Sequence, residues 1–134
     1  MPRWIGGFLV LVGIGQGALW VFLVLRFAFT GQLLNDIPAD GQHLVFALEL
    51  SLLVPTLTLA GVMLYRRTRV GLFMGTAVAV FGAVYQVNLM LAGVFQASAN
   101  VPGVKAFPPE GIFLTMTFVI ASALLLTRRS ELQR

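Results

Sequence analysis

The fold is decided by the stretch LYRRTRVG (residues 64–71), which places three arginines within four residues between two long apolar runs. A second basic pair, Arg128 and Arg129, follows the last apolar run. Integral membrane proteins collect Lys and Arg in the loops on the cytoplasmic side of the membrane. The alternation of apolar runs and basic turns therefore predicts an integral membrane protein and its orientation.

The composition supports a membrane environment. The chain has 134 residues, of which 58% are hydrophobic and 10% are charged, and its mean hydropathy is +0.91. A soluble domain carries about 25% charged residues, so polar surface is too scarce here to cover a water-exposed core. The net charge of +4 arises from residues at the ends of apolar runs, which indicates topology and not nucleic-acid binding. Anionic lipid headgroups attract such clusters by about 1 kcal/mol per Lys or Arg.

Four apolar segments are long enough to span a bilayer, which takes about 20 residues: about 4–28, 41–65, 70–96 and 110–127. They lack the alternation expected of barrel strands. We expect the first segment to be retained as a helix, because it is too long for a signal peptide. The prediction is an all-α fold, a four-helix transmembrane bundle forming a single domain over residues 1–134.

Turn-forming residues separate these segments. Asp40 is expected to cap the second helix by accepting its free amide hydrogens. Pro109 suits the start of the fourth helix, where a missing amide hydrogen costs nothing. Pro55 interrupts the second helix and is expected to kink it.

The basic residues fall mostly on one side of this arrangement. Seven of the nine Lys and Arg residues share that side: Arg3, Arg66, Arg67, Arg69, Arg128, Arg129 and Arg134. Only Arg26 and Lys105 fall on the other side. By the positive-inside rule, both termini are predicted to be cytoplasmic.

Glu49 is the principal candidate for a functional residue, because an acid within a membrane span is costly and commonly functional. Other polar side chains are predicted at a similar depth, and together they form a candidate intramembrane polar site: Glu49, Gln16, Gln86, Arg26 and Asn88. One hypothesis is a structural acid that is hydrogen-bonded to Gln16 or Gln86, or paired with Arg26. The alternatives are an acid that binds protons or a ligand, and an acid that simply lies near the membrane interface.

Helical periodicity predicts which of these residues share a face. Glu49 aligns with Thr56, Ala60 and Met63 on the second helix, and Gln16 with Gly13, Gly17 and Trp20 on the first. Gln86 lies on a stripe of small residues on the third helix: Gly71, Gly75, Ala79, Gly82 and Gly93. Asn88 points the opposite way from Gln86, so one of these two residues is expected to face a different neighbour or lipid. Small residues at four-residue spacing allow close helix packing within the bundle or in a homodimer.

Signatures of catalysis and cofactor binding are missing from the sequence. The spacing of Asp36, Asp40 and His43 would allow a metal site, but the pattern is weak. The simpler interpretation is that Asp40 caps a helix and that His43 lies at the level of the lipid headgroups. No histidine lies within a span to hold haem, and cysteine is absent. We therefore expect no metal, no cofactor and no enzymatic activity.

The stretch ELSLLVPTLTLAGVMLYRR (residues 49–67) resembles a segment of uncharacterised small multi-pass bacterial membrane proteins. In those proteins an acid precedes an apolar run with a proline, followed by Ala-Gly and a basic turn. The resemblance covers mainly residues 49–95 and implies a bacterial inner-membrane protein, without functional residues. The architecture is also similar to the small multidrug-resistance transporters, which have an essential membrane-embedded Glu in the first helix, whereas Glu49 lies in the second.

These observations favour a small accessory or structural membrane protein that contacts membrane lipids and a homodimer or partner membrane protein. The alternative is a small carrier, coupled to protons or binding a lipid or other hydrophobic ligand, that uses Glu49.

The arginine distribution makes the first testable prediction. Reporter fusions at Thr68 and after Arg134 are expected to behave as cytoplasmic, and a fusion at Asp36 as external. The reason is that most of the Lys and Arg residues lie on the same side of the membrane as Thr68 and Arg134. Paired alkaline phosphatase and fluorescent protein fusions measure this. An external signal at Thr68 would overturn the orientation.

Overall fold

A computed structural model of the protein describes residues 3–31, 39–100 and 105–132, and within these ranges it contains helices and no strand. The elements in chain order are α1 (Arg3–Thr30), α2 (Ala39–Leu48), a π-helical turn (Glu49–Leu53), α3 (Val54–Tyr65), α4 (Arg69–Ser98) and α5 (Pro109–Leu132). Four stretches are long and apolar enough to cross a membrane: Arg3–Thr30, Leu44–Tyr65, Arg69–Ser98 and Pro109–Arg128. The all-α class is confirmed for the described residues, and so are the four helical segments of spanning length and apolarity.

Helix α2 begins earlier than the sequence predicted. It starts at Ala39, whereas the prediction began the helix at about residue 41 with Asp40 as its cap. Position 40 therefore lies within the helix and not before it, so Asp40 is not the cap residue. Pro109 is the first residue of α5, as predicted.

The chain divides into two compact units, the first ending at Gly71 and the second beginning at Leu72. The first contains α1, α2, the π-helical turn and α3, and the second contains most of α4 and all of α5. A single bundle of all four spans stays a prediction.

In the first unit, α1 and α3 pack with their backbones in direct contact. A Cβ atom on Gly6 would lie 2.7 Å from the Tyr65 amide nitrogen and 2.8 Å from the Gly61 carbonyl oxygen. The contact is reciprocal, since a Cβ on Gly61 would lie 2.8 Å from the Gly6 carbonyl oxygen. No side chain larger than hydrogen fits at either position without a shift of the backbone.

The same contact continues along α1 through the two glycines that the sequence indicated. A Cβ on Gly13 would lie 2.6 Å from the Thr58 Oγ1 atom, and one on Gly17 would lie 3.1 Å from a Val54 methyl group. As the residue numbers increase along α1, the numbers of the residues they contact on α3 decrease. The two helices are therefore antiparallel. The predicted close approach at Gly13 and Gly17 is confirmed.

In the second unit, α4 and α5 are also antiparallel. The ring of Phe118 lies directly against Gly82, where a Cβ would overlap it. Further along, the Thr115 Oγ1 atom lies 3.2 Å from the Met90 sulfur. The stripe of small residues predicted on α4 is buried over most of its length: Gly71, Gly75, Ala79 and Gly82.

The turn between α3 and α4 explains how the basic stretch folds. The amide nitrogens of Arg67 and Thr68 donate to the carbonyl oxygens of Leu64 and Met63, at 2.9 and 3.2 Å. Arg67 has a φ of 58°, the left-handed conformation that ends a helix in a Schellman motif. The Thr68 hydroxyl then accepts a 2.9 Å hydrogen bond from the Gly71 amide and caps α4. One helix thus ends and the next begins within four residues.

Large apolar side chains make up much of the exposed surface of the helices. Leu11, Phe29 and Phe95 expose 73%, 86% and 72% of their surface. A soluble protein does not present so many large apolar groups to water. This surface is compatible with a multi-pass membrane protein.

The glycines of α1 provide a matched test of this packing. Gly13→Leu is expected to lower the stability of the protein by about 1–3 kcal/mol, because the new side chain overpacks against α3. Gly15→Leu is the control, since nothing lies within 4 Å of a Cβ at that position. Thermal unfolding in detergent, followed by circular dichroism, measures both. Equal melting temperatures for the two variants would contradict the packing.

Candidate functional site

Glu49 begins the π-helical turn and lies five residues after Leu44, where the second span starts. Its side chain is 7% exposed, although it is a carboxyl in an apolar helix. The backbone carbonyl oxygen of Glu49 accepts its hydrogen bond from the Val54 amide, five residues on. Pro55 follows directly; it has no amide hydrogen, and its ring clashes with the carbonyl four residues earlier in a regular helix. The wider turn relieves that clash, and such turns are frequent at functional sites.

The π-helical turn changes which residues share a face with Glu49. At 100° per residue, a regular helix would place Glu49 about 70° from the centre of the buried face of α3 and in line with Thr56. The π-helical turn contains one extra residue, which rotates Glu49 by about 100° around the helix axis relative to α3. This rotation brings Glu49 to within about 30° of the centre of the buried face. The buried face is formed by Leu57, Ala60, Gly61 and Leu64. Thr56 is exposed, so the predicted alignment of Glu49 with Thr56 is wrong.

Two side chains of α1 donate hydrogen bonds to one oxygen of the Glu49 carboxyl group. The Gln16 Nε2 atom lies 2.6 Å from Oε2, and the Trp20 Nε1 atom lies 2.5 Å from the same oxygen. Gln16 and Trp20 are four residues apart and therefore share one face of α1. A buried carboxyl requires such partners, since an unsatisfied polar group in an apolar environment costs several kcal/mol.

An aromatic contact from α2 completes the site. The rings of Trp20 and Phe46 have centroids 6.3 Å apart and are tilted by 36°. This separation lies within the range of favourable aromatic pairs. The sequence placed Trp20 beside Gln16 but gave no indication that its indole N–H binds Glu49 or that Phe46 packs against it. The four-residue spacing of Gln16 and Trp20 was the available signal.

The structure places the remaining predicted residues as follows. Arg26 lies ten residues beyond Gln16 on α1, about 15 Å along the axis, and the hydrogen bonds described at Glu49 come from Gln16 and Trp20 instead. Gln86 is half-buried and Asn88 is exposed, as expected for residues on opposite sides of α4. Both belong to the second unit, so their relation to Glu49 stays a prediction.

Hydroxyl groups within the spans are used locally. Thr58, Thr76 and Ser122 each donate a hydrogen bond to the carbonyl oxygen four residues earlier, at 2.8, 2.6 and 2.7 Å. Thr115 and Thr117 make the same bond on α5. These hydroxyls are satisfied by their own helices, so the polar contacts that join α1 to the second span are centred on Glu49.

Among the described residues, no group of three His, Cys, Asp or Glu side chains could hold a metal ion. Asp36 lies outside the described residues, so the Asp36–Asp40–His43 pattern is not tested.

Basic residues gather at one end of the first unit, and Arg128 lies near one end of the second. The Arg3 guanidinium lies over the Tyr65 ring, 5.8 Å from its centroid, which joins the start of α1 to the end of α3. Arg66 follows Tyr65 directly, whereas Arg26 lies near the far end of α1. In the second unit, Gly82 of α4 contacts Phe118 of α5. Because the helices are antiparallel, Arg128, ten residues after Phe118, lies level with the part of α4 that is ten residues before Gly82, near the start of that helix.

Comparison with known protein families, curated proteins and solved structures finds no match to this chain. The resemblance to small multi-pass bacterial membrane proteins therefore stays a prediction.

A double-mutant cycle tests the hydrogen bond between Gln16 and Glu49. Gln16→Leu is expected to destabilise the protein by about 1–3 kcal/mol, because the buried carboxyl loses a donor. Combining Gln16→Leu with Glu49→Leu is expected to cost less than the sum of the single changes, since both polar groups are removed together. Chemical unfolding in detergent measures the four proteins. Asn88→Leu is the control for adding an apolar side chain at an exposed position. Strictly additive effects would contradict the contact.

Proposed function

We propose that this protein is a small multi-pass protein of the bacterial inner membrane with both termini in the cytoplasm. Four helices of spanning length and an apolar exterior support the membrane location. The clustering of arginines at one end of the first unit, with Arg128 near one end of the second, supports the orientation, because the cytoplasmic side retains Lys and Arg. Membrane lipids are then its immediate partners.

Within that membrane the protein has an accessory or structural role, without catalysis of its own. The observation that supports this role is the use of the Glu49 carboxyl, whose Oε2 atom accepts hydrogen bonds from both Gln16 and Trp20. These bonds join the second span to α1. A polar group used in this way fixes one pairing of helices, as buried polar residues do in other helical assemblies. The natural partner is a second copy of the chain or another membrane protein.

A carrier that uses Glu49 is the second candidate. The observation that favours it is a buried acid in a spanning helix, directly at a π-helical turn. Intramembrane acids serve as proton relays in transporters, and a wide turn next to a proline is a suitable hinge. A carrier requires the carboxyl to exchange its Gln16 and Trp20 partners for a proton or a ligand during transport.

The variant Glu49→Gln separates the two candidates, because it retains the oxygen that accepts both hydrogen bonds but cannot ionise. For an accessory protein, wild type and Glu49→Gln are expected to show the same stability and the same co-purifying membrane partner in mild detergent. Proton flux into proteoliposomes under an imposed pH gradient is expected to match that of protein-free liposomes for both. Flux that is present in the wild type and lost in Glu49→Gln would contradict the accessory role and support the carrier.

A further inference from the structure

We infer that the arginine cluster at the junction of α1, α3 and α4 binds the phosphate of an anionic phospholipid. The cluster consists of Arg3, Arg66, Arg67 and Arg69. This inference rests on the proposed membrane location and goes beyond it, since it assigns one class of lipid to one site.

Helix packing, and not sequence proximity alone, assembles the cluster. Arg3 is more than sixty residues from Arg66 in the chain, yet its guanidinium lies over the ring of Tyr65, the neighbour of Arg66. The backbone contact between Gly6 and Tyr65 fixes this arrangement one turn into α1. The left-handed turn at Arg67 then brings Arg69 back to the same end within two residues.

Within the first unit, no acid lies close in the sequence to the arginines of this cluster. The sequence contains no Asp or Glu before Asp36 and none between Glu49 and Glu110. Glu49 lies 16 residues before Tyr65, on the order of 24 Å away along the span. Like charges held together at an exposed site repel one another, so an external anion lowers the free energy of the folded unit.

The surroundings identify the source of that anion as a lipid headgroup. Trp4 and Tyr65 are 47% and 51% exposed and lie beside Arg3 and Arg66. Amphipathic aromatic side chains of this kind occupy the interface between headgroups and acyl chains. Arginine binds phosphate oxygens through paired N–H groups, which suits a lipid phosphate at this depth.

Quenching of Trp4 by brominated lipids tests the site. The full-length protein is reconstituted in phosphatidylcholine vesicles that contain increasing amounts of brominated phosphatidylglycerol, or of brominated phosphatidylcholine as the neutral series. Subtracting the signal of Trp4→Phe isolates Trp4 from Trp20. The expected result is stronger quenching of Trp4 by the anionic lipid at equal mole fraction. Equal quenching by both lipids would overturn the inference.

Charge variants locate the effect. Arg3→Gln combined with Arg66→Gln is expected to reduce the preference for anionic lipid about fivefold per removed charge at low salt, which corresponds to about 1 kcal/mol for each. The corresponding pair of lysine substitutions is expected to keep most of the preference. Arg26→Gln combined with Lys105→Gln removes the same number of charges outside the cluster, and this variant is also expected to keep the preference for anionic lipid. The same loss in this control pair would overturn the site.

Two further arms separate the possible causes. Inorganic phosphate at millimolar concentration is expected to leave the quenching of Trp4 by the anionic lipid unchanged. If free phosphate abolished the quenching, the assignment of the anion to a lipid would be overturned. Flotation with the vesicles after alkaline washing establishes membrane insertion independently. A protein that floats but shows no preference for anionic lipid disproves the headgroup site alone, whereas one that fails to float disproves the proposed membrane role as well.

Discussion

The direct contact between the backbones of α1 and α3 is the constraint on which the first unit depends. Gly6 and Gly61 allow the two helices to approach until main-chain atoms touch, and Gly13 and Gly17 continue the contact. Helix association in lipid gains nothing from hydrophobic exclusion, so close packing supplies most of the attraction. Because the contact fixes the antiparallel register, it also determines which polar groups meet further along. Glu49 reaches Gln16 and Trp20, and Arg3 reaches Tyr65, at opposite ends of the same seam.

The magnitudes indicate what the polar contacts contribute. A hydrogen bond between membrane helices is worth on average about 0.6 kcal/mol, and about 1–2 kcal/mol in favourable cases. Two such bonds at Glu49 contribute less than the cost of burying the carboxyl without partners. Their role is therefore to disfavour other helix pairings, in which the carboxyl would lack its donors. The π-helical turn is what allows these hydrogen bonds, because it rotates Glu49 onto the packed face of the second span.

The sequence was sufficient to predict the spans, the small-residue stripe of α4 and the contact at Gly13 and Gly17, because each follows from local composition or helical periodicity. It was insufficient where a local change alters the register. The π-helical turn at Glu49 made the predicted alignment with Thr56 wrong, and Pro55 was its visible cause. The pairing of Gly6 with Gly61 depends on tertiary contact, and α1 carries further glycines, Gly7 and Gly15, where a Cβ would meet open space. Periodicity alone cannot decide which of these faces meets α3.

Disulfide formation between α1 and α3 measures this register most directly. The chain contains no cysteine, so any disulfide within it must join the two introduced cysteines. The pair Gly17→Cys and Val54→Cys should oxidise readily in membranes, because a Cβ at position 17 lies 3.1 Å from a Val54 methyl group and disulfides join Cβ atoms about 3.5–4.5 Å apart. The matched pair Gly15→Cys and Val54→Cys should remain reduced, as seen by mass spectrometry of the alkylated protein. Oxidation of the second pair in preference to the first would contradict the register that brings Glu49 to Gln16 and Trp20.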